Sequence, residues 1–311
     1  MREFKFIDLF AGIGGMRLAF EKAGGTCTFS SEWDKHAAKT YEANFGVYPS
    51  GDITKIDAKE IPKFDILTAG FPCQPFSSIG KRQGFEHKTQ GTLFYDVARI
   101  LDKHKPMAFL LENVGGLATH DRGKTLEVIL ETLNELGYSV KWEKLDASNF
   151  GVPQRRERIY IVGFLRRKFR GEEFQFPKAN TRITGIGNFV QSDLEGLSIS
   201  KHLQEVYIFK HDDGRPEIIT PKSDFPVKTL VASYHKIQRL TGTFVADGPT
   251  GLRLLSEYEC KAIMGYPKNF KIPVSRTQMY RQFGNSVAIP VVTKIAKTMV
   301  EYIDQNLRNQ K

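Results

Sequence analysis

An α/β fold with a mostly parallel sheet, plus a smaller inserted lobe, is predicted for this 311-residue chain by three observations. Strand-like and helix-like segments alternate through the first 165 residues, and the strand-like ones are apolar runs. The rhythm breaks near Arg166 and returns near Ser256. Alternation of this kind calls for helical crossovers between parallel strands, and continuous apolar runs suit strands covered on both faces.

"FKFIDLF" (4–10) reads as a strand, and "GGMRLAFEKAGG" as a short helix closed by Gly24. "TCTFSSE" (26–32) is a second strand, followed by a helix over 34–46 with Asp34 as N-cap and Gly46 as stop. "FDILTAG" and "MAFLLEN" are doubly covered strands, and the residues between them space Leu93, Val97, Ile100 and Leu101 as one helix face. An amphipathic helix is expected over 123–137 and a late strand over 158–164. From Arg166 to about Pro249 the segments are short and rich in Gly, Asp and Ser, with no long helix. Helical spacing resumes over 256–265 and from Val287 to about Leu307, where Pro290 falls in the first turn and residues 288, 291, 292, 295, 299 and 303 form one apolar stripe. The expected division is therefore residues 1–165 with 250–311 as one domain, and 166–249 as the inserted lobe.

Composition narrows the function classes. The 45 Lys+Arg against 35 Asp+Glu give a net charge of +10, and basic runs at 155–158, 166–170 and 81–83 point to a polyanionic partner. No apolar run approaches the ~18 residues of a membrane span, and the N-terminus lacks a signal-peptide pattern, so a cytosolic protein without membrane contact is expected. Cys27, Cys73 and Cys260 lie far apart without a C-x-x-C pair, which argues against disulfides and a zinc site; no metal is expected.

Two constellations carry chemistry. "DLFAGIGGMR" joins the first strand to a helix, where such folds meet nucleotide-like ligands; Gly12 and Gly14 fit the dinucleotide pattern, but Arg17 stands where its last glycine belongs, which disfavours hydride transfer. Glu32, twenty residues after Gly12, ends the second strand where an acid accepts from ribose hydroxyls. Trp33 is placed to cover an adenine and Asp52 to meet its exocyclic amine, together an adenosine pocket without a phosphate clamp. Cys73 and Glu112 each follow an apolar strand-like run and so reach the same sheet edge, whereas Cys27 and Cys260 read as packing residues. A thiolate with a protonated acid is what activates a pyrimidine: sulfur adds to carbon 6, and the acid, its pKa raised, serves nitrogen 3. Arg158 heads the late strand, placed to bind the ring oxygen without titrating.

With these residues assembled, the chain resembles the bacterial C5-cytosine DNA methyltransferases of restriction-modification systems. The carrying motifs, in the family's order, are "DLFAGIGGMR", "EWD", "GDIT", "GFPCQPFS", "GTLF", "ENV", "GVPQRRERIYIVGF" and "RQFGNSV". The resemblance implies a Rossmann-like S-adenosylmethionine-dependent fold, with S-adenosylmethionine as donor and S-adenosylhomocysteine as product. It places Phe10, Gly12, Gly14, Glu32, Trp33, Asp52, Ile53, Pro72 and Leu93 around the donor, with Asn285 and Ser286 closing the pocket. Cys73 matches the nucleophile, Glu112 the acid and Arg158 a residue at the flipped base, with Arg156 nearby. Gln74 to Gly91 matches a mobile loop over double-stranded DNA, making Gln74, Ser77, Lys81 and Arg82 DNA contacts; Thr229 supports the target phosphate. The lobe corresponds to the target-recognition region. The resemblance also implies a prokaryotic or phage-encoded enzyme acting at the nucleoid; an asymmetric one-base reaction predicts a monomer, and the existence of a cognate endonuclease, which would act independently, stays open. Two alternatives stay open: a tRNA cytosine-5 methyltransferase, and a non-catalytic DNA-binding relative.

Overall fold

The computed structural model describes residues 3–72, 93–169, 173–179 and 182–308. In chain order the larger elements are β1 (Phe4–Leu9), α1 (Gly15–Glu21), β2 (Gly25–Ser31), α2 (Lys35–Phe45), β3 (Ile66–Gly70), α3 (Leu93–His104), β4 (Ala108–Val114), α4 (Lys124–Glu135), β5 (Tyr138–Asp146) and β6 (Glu157–Leu165). After them come α5 (Lys201–Leu203), β7 (Glu217–Ile219), β8 (Thr243–Val245), α6 (Glu257–Met264), α7 (Arg276–Asn285) and α8 (Ile289–Arg308).

The local signals act where the sequence puts them. Asp34 accepts from the backbone N–H groups of His36 and Ala37 at the start of α2, and Gly46 ends that helix in the left-handed region at φ 69°. Ser256 and Glu259 close a reciprocal capping box at α6.

Six strands form one sheet in the order β2-β1-β3-β4-β6-β5. The first four are parallel, and β6 runs antiparallel to both β4 and β5. Alternate residues serve opposite faces. Phe6, Ile66, Leu110 and Val162 join a core with α1 and α8, while Ile7, Leu67, Leu111 and Ile161 join another with α3 and α4. This double coverage is why the strands read as unbroken apolar runs.

Outside residues 166–249, strand β5 and helix α7 were not foreseen. Strand β5 is a sheet edge whose exposed positions include Ser139, Glu143 and Lys144, so its sequence lacks an apolar run. Helix α7 buries Met279, Tyr280 and Phe283 among arginines and glutamines, which dilute the periodic signal.

Between β6 and α6 the described residues form short pieces, including the parallel pair β7–β8. Their apolar residues Ile186, Ile199, Ile208, Ile219 and Phe244 belong to the same core as α8. Chain direction decides what meets at the functional edge: the carboxyl ends of β1 to β4 lie beside the amino end of β6, so Val114 pairs with Arg158 and Glu112 with Tyr160.

Candidate active site

The turn after β1 is held in backbone conformations that ordinary residues avoid. Phe10 adopts φ 54°, strained for an aromatic residue, and Gly12 and Gly14 follow at φ 54° and 85°. The Ala11 N–H donates to the Ser31 carbonyl at 2.9 Å, tying the turn to the end of β2. Glu32, the next residue, is buried, and its two carboxylate oxygens accept from the N–H groups of Gly12 and Asp34, each at 2.7 Å. Burial raises its pKa above the ordinary 4.5 against the pull of those amides. Each oxygen keeps a second lone pair, the capacity two ribose hydroxyls require.

Trp33 beside it is 77% exposed, a free ring face. Asp52 caps the turn Ile53–Lys55, its Oδ1 accepting from the Thr54 N–H at 3.1 Å and hydroxyl at 2.9 Å. Ile53 is buried beneath that turn, and Leu93 opens α3 half-buried. Across the turn, Asn285 is exposed and Ser286 half-buried at the end of α7. A Cβ at Gly15 would lie 2.9 Å from Ser286 Oγ, so the C-terminal segment closes directly on the glycine turn. An acid for a ribose, an open ring face and a close backbone turn fit S-adenosylmethionine.

The second group lies at the neighbouring strand ends. Gly70 pairs with Glu112 in register, and Glu112 Oε2 is 3.6 Å from where a Gly70 side chain would begin. Asn113 donates to the Phe71 carbonyl at 2.9 Å, fixing the chain that leaves β3. Pro72 is exposed at its end. Cys73, Gln74, Ser77, Lys81 and Arg82 lie outside the described residues.

Glu112 Oε1 stands 3.1 Å from Arg158 Nε, and both side chains are largely buried. Two opposing effects set the acid's state: burial raises its pKa above 4.5, while Arg158 and Arg156 lower it, and burial prevails. The raised pKa expected for Glu112 is thus present, although an arginine is in contact.

Arg156 sits differently from a base-contacting residue. It is buried, and its guanidinium donates to the carbonyls of Leu230 at 3.1 Å, Gly284 at 2.9 Å and Ser286 at 2.5 Å. It joins β6 to the segment after Thr229 and to the end of α7. Gln154 does similar work and was not singled out from the sequence: fully buried, it donates to the Ile263 carbonyl and accepts from the Leu230 N–H, both at 2.8 Å. Its presence in "PQRRER" was the available signal. Thr229 is half-buried and donates to the Arg155 carbonyl at 2.7 Å. Among the described residues no group of His, Cys, Asp and Glu could hold a metal ion, and no helix is long and apolar enough to cross a membrane.

Comparison with known proteins decides the family. The sequence profile of the C-5 cytosine-specific DNA methylases matches residues 4–301. The chain belongs to that family. It is 60% identical over 295 residues to the type II methyltransferase M.MspI of Moraxella, covering 95% of this chain and 70% of that one. It is likewise 60% identical over 297 residues to M.BsuFI of Bacillus subtilis, covering 95% and 72%. The fold matches that of the S. pombe Dnmt2 methyltransferase at a TM-score of 0.78 and 20% identity, across 96% of this chain and 99% of the other. In this DNA methylase the Glu32 and Glu112 groups therefore occupy the carboxyl edge of a shared Rossmann-like sheet.

Proposed function

We propose that this DNA cytosine-5 methyltransferase, of the restriction-modification type, works through a covalent adduct of Cys73, with Glu112 as its acid. The observation carrying the proposal is Glu112: a carboxyl group whose proton is favoured by burial, on the strand in register with the one leading to Cys73.

A cytosine stacked in a duplex hides its ring faces, so it must first be rotated out. The Cys73 thiolate then forms a bond to carbon 6, and the displaced electron pair passes through carbon 5 and carbon 4 to nitrogen 3, where Glu112 delivers its proton. When bound, S-adenosylmethionine supplies an electrophilic methyl group and leaves as S-adenosylhomocysteine. Glu112 takes the proton back as carbon 5 bonds the methyl group. Loss of the carbon 5 proton to a solvent base restores the ring double bond and expels the thiolate. Arg158 faces the ring oxygen and orients Glu112; Arg156 holds the surrounding backbone.

Phe10, Gly12, Gly14, Glu32, Trp33, Asp52, Ile53, Pro72, Leu93, Asn285 and Ser286 form the cofactor pocket in this reading. Residues 1–165 and 250–311 are the catalytic and cofactor domain, and 166–249 the target-recognition domain. Gln74, Ser77, Lys81, Arg82 and Thr229 meet double-stranded DNA, and the net charge of +10 supports that partner. The chain acts at bacterial or phage DNA as a monomer, with any cognate endonuclease acting separately.

The test offers labelled S-adenosylmethionine with duplex DNA or tRNA. Wild-type protein should label the duplex alone and Cys73→Ala neither; transfer by Cys73→Ala would end the adduct mechanism, and preferred labelling of tRNA would change the substrate.

A further inference from the structure

Tyr266, just past α6, was not marked by any sequence motif. Its side chain is 5% exposed, and its hydroxyl oxygen stands 2.5 Å from Ser286 Oγ. The ring is fixed by Phe283, edge-on at 5.4 Å, and by Phe270 at 4.6 Å. Both oxygens press on the cofactor turn: a Cβ at Gly15 would lie 2.9 Å from each. Phenylalanine would fill the same space, and a buried hydroxyl is costly unless bonded, so the contact with Ser286 is what tyrosine adds here.

Glu32 accepts from the Gly12 N–H at one end of the turn, the proposed ribose side, and Ser286 Oγ packs close against Gly15 at the other. The opposite end of the same ligand is its amino-acid tail, whose carboxylate is an anionic acceptor. We propose that Tyr266 is a positioning residue for that tail: its phenol donates to Ser286 Oγ, and the serine proton, which meets only the Val287 carbonyl at a long 3.4 Å, turns to the tail carboxylate. The inference rests on Ser286 lining the cofactor pocket.

Calorimetric binding separates the possibilities without catalysis. Tyr266→Phe should bind S-adenosylhomocysteine about fivefold more weakly, the loss of one neutral hydrogen bond. Its affinity for 5′-methylthioadenosine, which keeps the adenosine and lacks the tail, should equal that of wild type. Ser286→Ala should show the same selective loss, and the double variant no further loss. Unchanged S-adenosylhomocysteine binding by Tyr266→Phe, or equal weakening for both ligands, would overturn the role of Tyr266 while leaving the pocket in place. A wild-type protein that binds neither ligand would overturn the pocket itself, and this inference with it.

Discussion

Two glutamate–arginine pairs in the molecule differ in how completely their charges are answered. Arg253 is fully buried; its guanidinium bonds both oxygens of Glu259 at 2.9 Å, Asp247 at 2.7 Å, and the carbonyls of Leu254 and Gln191. Glu259 also accepts from the N–H groups of Gln191 at 2.9 Å and Ser256 at 2.7 Å. The pair between Glu112 and Arg158 has one contact of 3.1 Å between the side chains, at the open sheet edge. The first arrangement satisfies its charges and holds the start of α6 to the segment before it. The second leaves a carboxyl group whose burial outweighs its partner, the condition for an acid that gives up and regains a proton.

The widest separation between the pairs should appear on removing the acid. Glu112→Gln is expected to lower kcat by about 10²–10⁴-fold, the usual worth of general acid–base assistance. Its S-adenosylhomocysteine affinity and unfolding midpoint should stay at wild-type values; a parallel loss of cofactor binding would make Glu112 a structural residue. Arg253→Met should do the reverse. It strands Glu259 and Asp247 without their cation, and a denaturant titration should show a loss of about 3–5 kcal/mol. A smaller change than 1 kcal/mol would show that water reaches that cluster.

A third acid gives a smaller effect and sharpens what burial alone does. Asp8 is fully buried beneath the glycine turn; burial raises its pKa from 3.8 to about 8, against the Thr68 hydroxyl at 3.1 Å and the charge of Arg17. Folding therefore favours its protonated form. The stability it contributes is complete below pH 3.8 and is lost as the pH rises through about 8. Melting temperature should fall with pH across that window in the wild type and less in Asp8→Asn; parallel slopes would show that Asp8 titrates normally.

The sheet was legible because its doubly covered strands need apolar residues at nearly every position, and helix α2 because Asp34 and Gly46 bound it by local chemistry. Strand β5 was not, since an edge strand obtains its order from β6 and can carry lysines. Glu32 and Glu112 were legible as acids at strand ends, where topology alone brings them to one edge. The pairing of Glu112 with Arg158 depends on β6 running antiparallel, which the strand's composition does not encode. Arg156, Gln154 and Tyr266 act through contacts with residues from 20 to 130 positions away, which no local pattern carries. Ile186, Ile199, Ile208, Ile219 and Phe244 share an apolar core with α8, so the boundaries expected near 166 and 249 have no compositional mark beyond the loss of rhythm.

Glu112 and Cys73 serve one adduct in the proposed mechanism, and trapping that adduct is the sharpest test of it. In a duplex carrying 5-fluorocytosine, carbon 5 has no proton to lose after methylation, so the bond to sulfur cannot be released. Wild-type protein with S-adenosylmethionine should form a complex that survives denaturing electrophoresis, with the modification at Cys73. Glu112→Gln should form it far more slowly, and Cys73→Ala not at all. Complex formation by Glu112→Gln at the wild-type rate would contradict the account.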